Sequence, residues 1–534
     1  MKSGSEACDR YLEYVFSHYP NLDAIILSSI EAISEKCNWG SPETSLDWNN
    51  LAVIDLIEAE GYEEYELKAE LIHAAMQKLE RGFSLDQSPH CAAHYVLTQS
   101  MLGENSKAMQ LALNSAITIF QPSHQSIALG LVYLPISVRN SLEFESILSN
   151  ENGYEQALML LAEALKRSQF VFYNSSGIRF LRLANQLFAD NPTVCLMLGI
   201  AELMSSQVEG IVHLHHARKL TRDYAPILQA LYLGYRGIGD LNTANYWLET
   251  AHDICLSQNS DAVEWQWTKL ALDSPITYVA FDQDLVLAVE PNFRSIVTSV
   301  LVAQGDWFER EIEFWRNGIQ AGMTVIDVGA NAGVYTFSAA QRVGATGLVL
   351  AVEPFSQCVG YLNETCRVNQ LDWVKVCSGA ASDRNGIAKL SLSSASELNE
   401  LISEEEGQTR EASSFEEVEC FTLDSLIEKY GVSRVDFLKI DAEGHELQVL
   451  KGCNRLLTEF APIILYENIA GSQGSNLPVA DYLRSIGYQL FRYQPYLQKL
   501  ISVDVNADFQ DSLNIIALPQ KSSTQLGQLG STRH

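Results

Sequence analysis

Three short sets of residues have types and spacings that could do chemistry. The first is Val325-Ile326-Asp327-Val328-Gly329-Ala330-Asn331-Ala332-Gly333-Val334-Tyr335-Thr336. The second is Glu353-Pro354, with the acid 20 residues beyond Gly333. The third is Asp441, Glu443, His445 and Glu446 in a single tight run, joined later by Glu467. In the first set, small residues at 329, 330, 332 and 333 bare the backbone, so a ligand's polar groups can reach N–H groups at a helix start. In the second, an acid at a strand end can accept both vicinal hydroxyls of a ribose, which fits any adenosine-type cofactor.

Charge separates the candidates. Asp-x-Gly-x-Asn-x-Gly is not the Gly-x-Gly-x-x-Gly of a dinucleotide site, because Asp327 carries a fixed negative charge into the corner. That suits a ligand bearing an ammonium and a sulfonium better than one bearing a pyrophosphate, which favours S-adenosylmethionine over NAD. Methyl transfer from a sulfonium is an in-line displacement that mostly needs alignment. An alkyl hydroxyl is a poor nucleophile, so a group that takes its proton helps. His445 is the candidate base by intrinsic pKa. Asp441 could orient it or bind the acceptor hydroxyl, Glu443 stands with them, and Glu467 could touch substrate. The plainer reading makes Glu443 and Glu446 helix-start residues favoured by the dipole and His445 an exposed bystander. A divalent metal held by Asp441 and Glu467 stays open, though spacing does not indicate one.

The elements that must position these residues follow in order. A hairpin is expected at Ile276 to Phe281 and Leu285 to Val289 across Asp282-Gln283-Asp284. Apolar runs at Thr324–Val328, Leu348–Val352, 374–376, 435–440 and 462–466 read as strands separated by helices. Such an alternation gives a mostly parallel, doubly wound sheet with its ligand at the strands' C-terminal ends. Strands at 488–493 and 513–518 suit an antiparallel pair at the sheet's end. The Ser/Glu-rich stretch from Leu392 to Val418, with Glu404-Glu405-Glu406, reads as a surface loop or a lid. The tail 520–534 reads as disordered.

From residue 1 to about 260, Gly and Pro are sparse and apolar residues recur at helical spacing. Leu158, Leu161, Ala162 and Leu165 share a face, as do Ala108, Ala112 and Ile117. Pro192 and Pro226 are 34 residues apart, as are Ala217 and Ala251. The stretch from Ala92 to Gly103-Glu104, followed by Ala108, reads as a further copy. Paired helices of this period resemble degenerate tetratricopeptide repeats over about 90–260, which would present a surface to a protein partner or to a second copy. A packed helical domain without a partner is the even alternative. His213, His215 and His216 read as a solvated or packed cluster.

Composition removes several classes. A net charge of −30 argues against tracking a nucleic acid or docking on an anionic membrane. No apolar run is long enough to span a bilayer. Ten scattered cysteines, without C-x-x-C or zinc spacing, suggest reduced thiols in the cytoplasm.

VIDVGANAGVYT, AVEP, GAASDRNG, FTLDSL, VDFLKIDAEGHELQVLKG and NIIALP together resemble, in order, the FkbM family of S-adenosylmethionine-dependent methyltransferases, over residues 276–519. The resemblance implies an O-methyltransferase with a seven-stranded Rossmann-like α/β sheet, preceded by an all-α helical-repeat domain outside the match. It sets domains at 1–262, 263–519 and the tail. It implies that Asp327, Gly329, Asn331 and Gly333, with Ala330 and Tyr335, hold the methionine end, Glu353 the ribose, and Ser382 and Asp383 the neighbourhood of the adenine. Ser382 to Gly386 reads equally as a plain turn into the next strand. The acceptor it implies is a sugar, glycan or secondary metabolite. A catalytically silent scaffold and a nicotinamide-dependent oxidoreductase are the alternatives, and the intact Asp327, Gly329, Gly333 and Glu353 set speaks against the first.

Overall fold

The computed structural model describes residues 4–17, 19, 22–62, 64–102, 108, 111, 127–135, 141–167, 171–187, 189–392, 400–402, 415–469, 475–494, 499–503, 509 and 512–520. Ala112, Ile117, Gly103, Glu104, Glu404-Glu405-Glu406 and the tail beyond 520 lie outside them. The chain forms two compact units, Met1–Phe170 with Gln494–Lys499, and Val171–Tyr493 with Leu500–His534.

The first unit is built of helices, as the periodicity predicts, including Ser45–Glu60, Tyr65–Asp86, Pro89–Met101 and Gly153–Arg167. Leu158 and Leu161 are buried, as is Ala108. Residues 130–134 are buried without being helical or part of a strand, so their backbone needs side-chain partners. Tyr11 donates to the Val132 carbonyl at 2.9 Å and Asn49 Nδ2 to the Leu131 carbonyl at 3.1 Å. Asn50 Oδ1 and His94 Nε2 accept from the Leu131 and Tyr133 amides at 2.9 and 3.1 Å. Burial pushes His90 and His94 down to about 4 and about 3.

The second unit opens with helices that include Pro192–Met204, Gly210–Leu220, Ala225–Gly237 and Leu241–Gln258. Pro192 and Pro226 both stand in the first turn, where the missing N–H costs nothing. The histidine cluster is packed: His215 meets the Tyr235 hydroxyl at 2.7 Å, and His213 lies 3.4 Å from the buried Glu202, an acid the linear sequence does not place there. Among the described residues no helix is long and apolar enough to cross a membrane.

Among the described residues fourteen strands follow in chain order. They are β1 (Thr277–Phe281), β2 (Leu285–Val289), β3 (Thr324–Val328), β4 (Leu348–Glu353), β5 (Val374–Ser378), β6 (Ala380–Ala381), β7 (Gly386–Ser391), β8 (Glu400–Ile402), β9 (Phe415–Phe421), β10 (Phe437–Ile440), β11 (Ile463–Glu467), β12 (Tyr488–Gln494), β13 (Lys499–Ser502) and β14 (Asn514–Pro519). β1 and β2 form the expected hairpin. The main sheet has eight strands rather than the expected seven, in the order β13-β12-β14-β11-β10-β3-β4-β5. The addition is β13, at the edge. β5, β4, β3, β10 and β11 run parallel, and β14 lies antiparallel to both β11 and β12. The expected loop after Leu392 contributes β8 and part of β9 to a separate sheet, β6-β9-β7-β8.

The chain lays β3, β4 and β5 outward on one side of β3, then returns to place β10 on the other. That reversal leaves a crevice beyond the C-terminal ends of β3 and β10, where such sheets bind ligands. One sheet face carries Ile326, Val328, Leu438, Ile440 and Ile464 into the main core. The other face places Asp327 directly opposite Lys439.

Candidate active site

The corner after β3 and the turn after β10 touch. Gly329 has φ +75°, and a Cβ there would lie 1.7 Å from the Asp441 carbonyl oxygen. Only a glycine permits both that backbone and that approach. The Asp441 amide donates to the Val328 carbonyl at 3.0 Å. Gly333, φ +95°, ends the corner, and the helix Val334–Val343 begins next to it.

A pocket of about 280 Å³ opens at this junction. Of the residues singled out in the sequence, Asp327, Gly329, Ala330, Asn331, Tyr335, Glu353, Asp441, Glu443, His445 and Glu467 line it, and Gly333, Ser382 and Asp383 do not. Asp327 is 1 % exposed; its Oδ2 accepts from Thr336 at 2.6 Å, and its Oδ1 has no partner. Burial raises its pKa against the opposing pull of Lys439. Glu353 ends β4 and is 5 % exposed. The Asn331 amide donates to its Oε2 at 2.7 Å and the Phe355 amide to its Oε1 at 2.8 Å. Burial nevertheless pushes it up to about 7.

The turn from Asp441 to Glu446 is folded around a carboxylate. Glu446 Oε1 accepts from the Ala442 and Gly444 amides, both at 3.0 Å, and its Oε2 accepts from Asn476 at 2.9 Å. Fully buried, Glu446 shapes the turn and does not line the pocket. Glu443 sits in this turn at φ +48°, ahead of the helix, and His445 is the cap of Glu446–Lys451. His445 is partly covered, not an exposed bystander. Its Nε2 meets the Ser382 hydroxyl at 3.1 Å, and burial lowers its pKa, with Asp383 opposing and Arg384 adding to the effect. Ser382 to Asn385 form a bend into β7, so the turn reading describes their backbone; Ala380 and Ala381, just before, are the pocket residues there.

Asp441, Glu443 and Glu467 each bring an oxygen within 4.8 Å of the others, and among the described residues they are the group that could take a metal ion. A shared proton relieves the same repulsion. Burial, with Asp441 and Glu443 close by, pushes Glu467 up to about 11, and its buried Oε2 has no partner.

Sequence reasoning missed Lys439 and Glu309. Lys439 is 2 % exposed, its Nζ lies 2.5 Å from Asp441 Oδ2, and it stands 4.5 Å over the Tyr335 ring. Burial works against its charge, but Asp441, Asp327 and Glu309 outweigh that and raise its pKa. Glu309 Oε2 accepts from the Tyr335 hydroxyl at 2.6 Å and from Asn514 at 2.9 Å. A lone lysine inside a buried strand was a signal for the first. The second sits on a connection with no motif spacing.

Residues 327–490 match the family model described as the methyltransferase FkbM domain. The chain contains an FkbM methyltransferase domain. Among solved structures it is similar to the methyltransferase FkbM from Methylobacillus flagellatus KT, at 16 % identity and TM-score 0.26, covering 41 % of this chain and 52 % of that one. It is also similar to a SAM-dependent methyltransferase from Aquifex aeolicus, at 16 % and 0.22, covering 39 % and 87 %. M. jannaschii TYW2 in complex with AdoMet is matched at 14 % and 0.23, covering 46 % and 86 %. The chain thus spans about half the length of the first of these. No curated protein matches it.

S-adenosylmethionine is the methyl donor of an FkbM domain, and the pocket fits it. Among the described residues the lining carries six acidic side chains, Glu309, Asp327, Glu353, Asp441, Glu443 and Glu467, against one lysine. Asp327 Oδ1 is a buried acceptor in want of a donor. Such a wall favours a ligand with positive charge over one with a pyrophosphate.

Proposed function

We propose that this FkbM domain transfers a methyl group to a hydroxyl of a neutral sugar, glycan or secondary metabolite. The observation that supports it most is the seating of Asp441 against Gly329, which sets an acidic rim directly beside the donor corner. Asp327, with the corner from Gly329 to Asn331 and Tyr335, would hold the amino-acid end of the donor, and Glu353 its ribose. When bound, S-adenosylmethionine supplies an electrophilic methyl on a sulfonium.

The acceptor hydroxyl is held by the rim. Glu467, carrying a proton, offers a donor to that hydroxyl's oxygen, and Asp441, pinned by Lys439, offers a carboxylate oxygen to a second hydroxyl of the acceptor. His445 takes the hydroxyl proton. Ser382 receives the Nε2 proton and so leaves the Nδ1 lone pair free, which is the tautomer a base needs. Burial lowers the pKa of His445, which favours the neutral ring a base needs.

The helices of 1–262 read as a tetratricopeptide-like surface that recruits a protein partner or a second copy, with 263–519 as the transferase part. The ten free thiols support a cytoplasmic site of action. Incubating the full chain with methyl-labelled donor and an extract of its source organism tests the transfer. A labelled small molecule or glycan bearing a new O-methyl group supports the reading; label found only on nitrogen or carbon refutes it.

A further inference from the structure

Glu309 lies between the turn at Gly305 and the helix Glu311–Gly318, away from every motif read in the sequence. It lines the pocket with its carboxylate held in place. Oε2 takes both fixed donors, the Tyr335 hydroxyl and Asn514 Nδ2. Among the described residues Oε1 takes none. A surface glutamate left to solvent has no need of two donors on one oxygen.

The surrounding charge is out of balance. Among the described residues Lys439 is the one cation of the pocket wall, and it faces Asp441, Asp327 and Glu309 together. Its ammonium is already committed to Asp441 Oδ2 at 2.5 Å and lies over the Tyr335 ring, whose hydroxyl reaches Glu309. Three carboxylates around one lysine leave negative charge uncompensated in a largely buried place, which is costly unless a cation or hydrogen-bond donors arrive. Next to this lysine two carboxylate oxygens take no hydrogen bond among the described residues, Glu309 Oε1 and the buried Asp327 Oδ1; Glu467 Oε2, also without a partner, belongs to the rim. A primary ammonium, with three N–H groups and a full charge, is the chemistry that satisfies both.

We propose that Glu309 is a second cofactor-binding carboxylate, acting with Asp327 on the α-ammonium of the methyl donor. This rests on the reading of the pocket as the donor's site. It separates the two ends of the ligand: the adenosine end belongs to Glu353 and the ammonium end to Glu309 and Asp327. S-adenosylhomocysteine keeps that ammonium and 5′-methylthioadenosine lacks it.

The test is calorimetric titration of the full chain and of Glu309→Gln with both compounds. Gln keeps an acceptor for Tyr335 and Asn514 and removes only the charge. The expected result is roughly a 10- to 100-fold loss of affinity for S-adenosylhomocysteine, with 5′-methylthioadenosine within about twofold of wild type. Glu309→Asp, which keeps the charge, is expected to retain most of the preference for S-adenosylhomocysteine, and it serves as the second variant if Gln unfolds the chain. Equal loss of both compounds, or loss of neither, overturns the assignment while leaving the donor site intact. A wild-type chain that binds neither overturns the donor reading and the assignment together.

Discussion

His445 carries two statements that one substitution can separate. As the residue that caps a six-residue helix it is replaceable, because its side chain makes no cap hydrogen bond. As the group that takes the acceptor's proton it is not. His445→Gln is expected to lower turnover roughly 10²–10⁴-fold, with the folded state and donor affinity kept. The wild-type rate should rise with pH to a plateau, with its midpoint below the ordinary imidazole value, since burial lowers the pKa of the ring. A variant with a near-native rate would return His445 to a structural role. Asp327, Gly329 and Glu353 were readable from the sequence because their spacing is tied to a strand-turn-helix corner. Glu309 was not, because what places it in the pocket is hydrogen bonding to Tyr335 and Asn514, far along the chain.

At the scale of elements, the decisive pairing is β3 against β10. Parallel register sets Asp327 opposite Lys439, and Lys439 reaches forward to Asp441 on the same strand direction. A charged residue on a strand buried on both faces persists only when its partners are in place. Lys439→Met is therefore expected to destabilise the second unit by about 3 kcal/mol. Adding Asp441→Asn should recover part of that loss, because the carboxylate left without its cation is gone. Thermal unfolding of the two variants checks this, and strictly additive losses would show that the pair is not coupled. The strand itself was visible as an apolar run, and its lysine was absorbed into that pattern. β9 was hidden for the opposite reason. Its buried Val418 and Cys420 alternate with Glu417 and Glu419, and the acidic surroundings masked a half-exposed strand. β13 is only four residues long at a sheet edge, too short for any periodicity to announce.

The whole molecule should answer to pH in two directions. In the second unit, burial raises Glu353 and Glu311 to about 7 and Glu467 to about 11. Folded values above unfolded ones give stability that is complete below about 4.5 and lost as pH rises through the folded values. In the first unit, His90 and His94 are lowered to about 4 and about 3, so their contribution is present above about 6.5 and lost as pH falls towards those values. Calorimetric scans from pH 5 to pH 8 should then show one transition falling and the other rising, each by about 2–4 °C per kcal/mol. Glu467→Gln is expected to flatten the falling one. Transitions that move together, or a steeper fall in the variant, would contradict these assignments.

The central claim is that the acidic corner beside the rim binds the adenosyl methyl donor, and one titration tests it most directly. Calorimetry of the full chain with S-adenosylhomocysteine should give saturable binding that NAD does not match, weakened in Glu353→Ala by about 1–3 kcal/mol. Binding of NAD in its place, or an affinity for S-adenosylhomocysteine unchanged by Glu353→Ala, would contradict it.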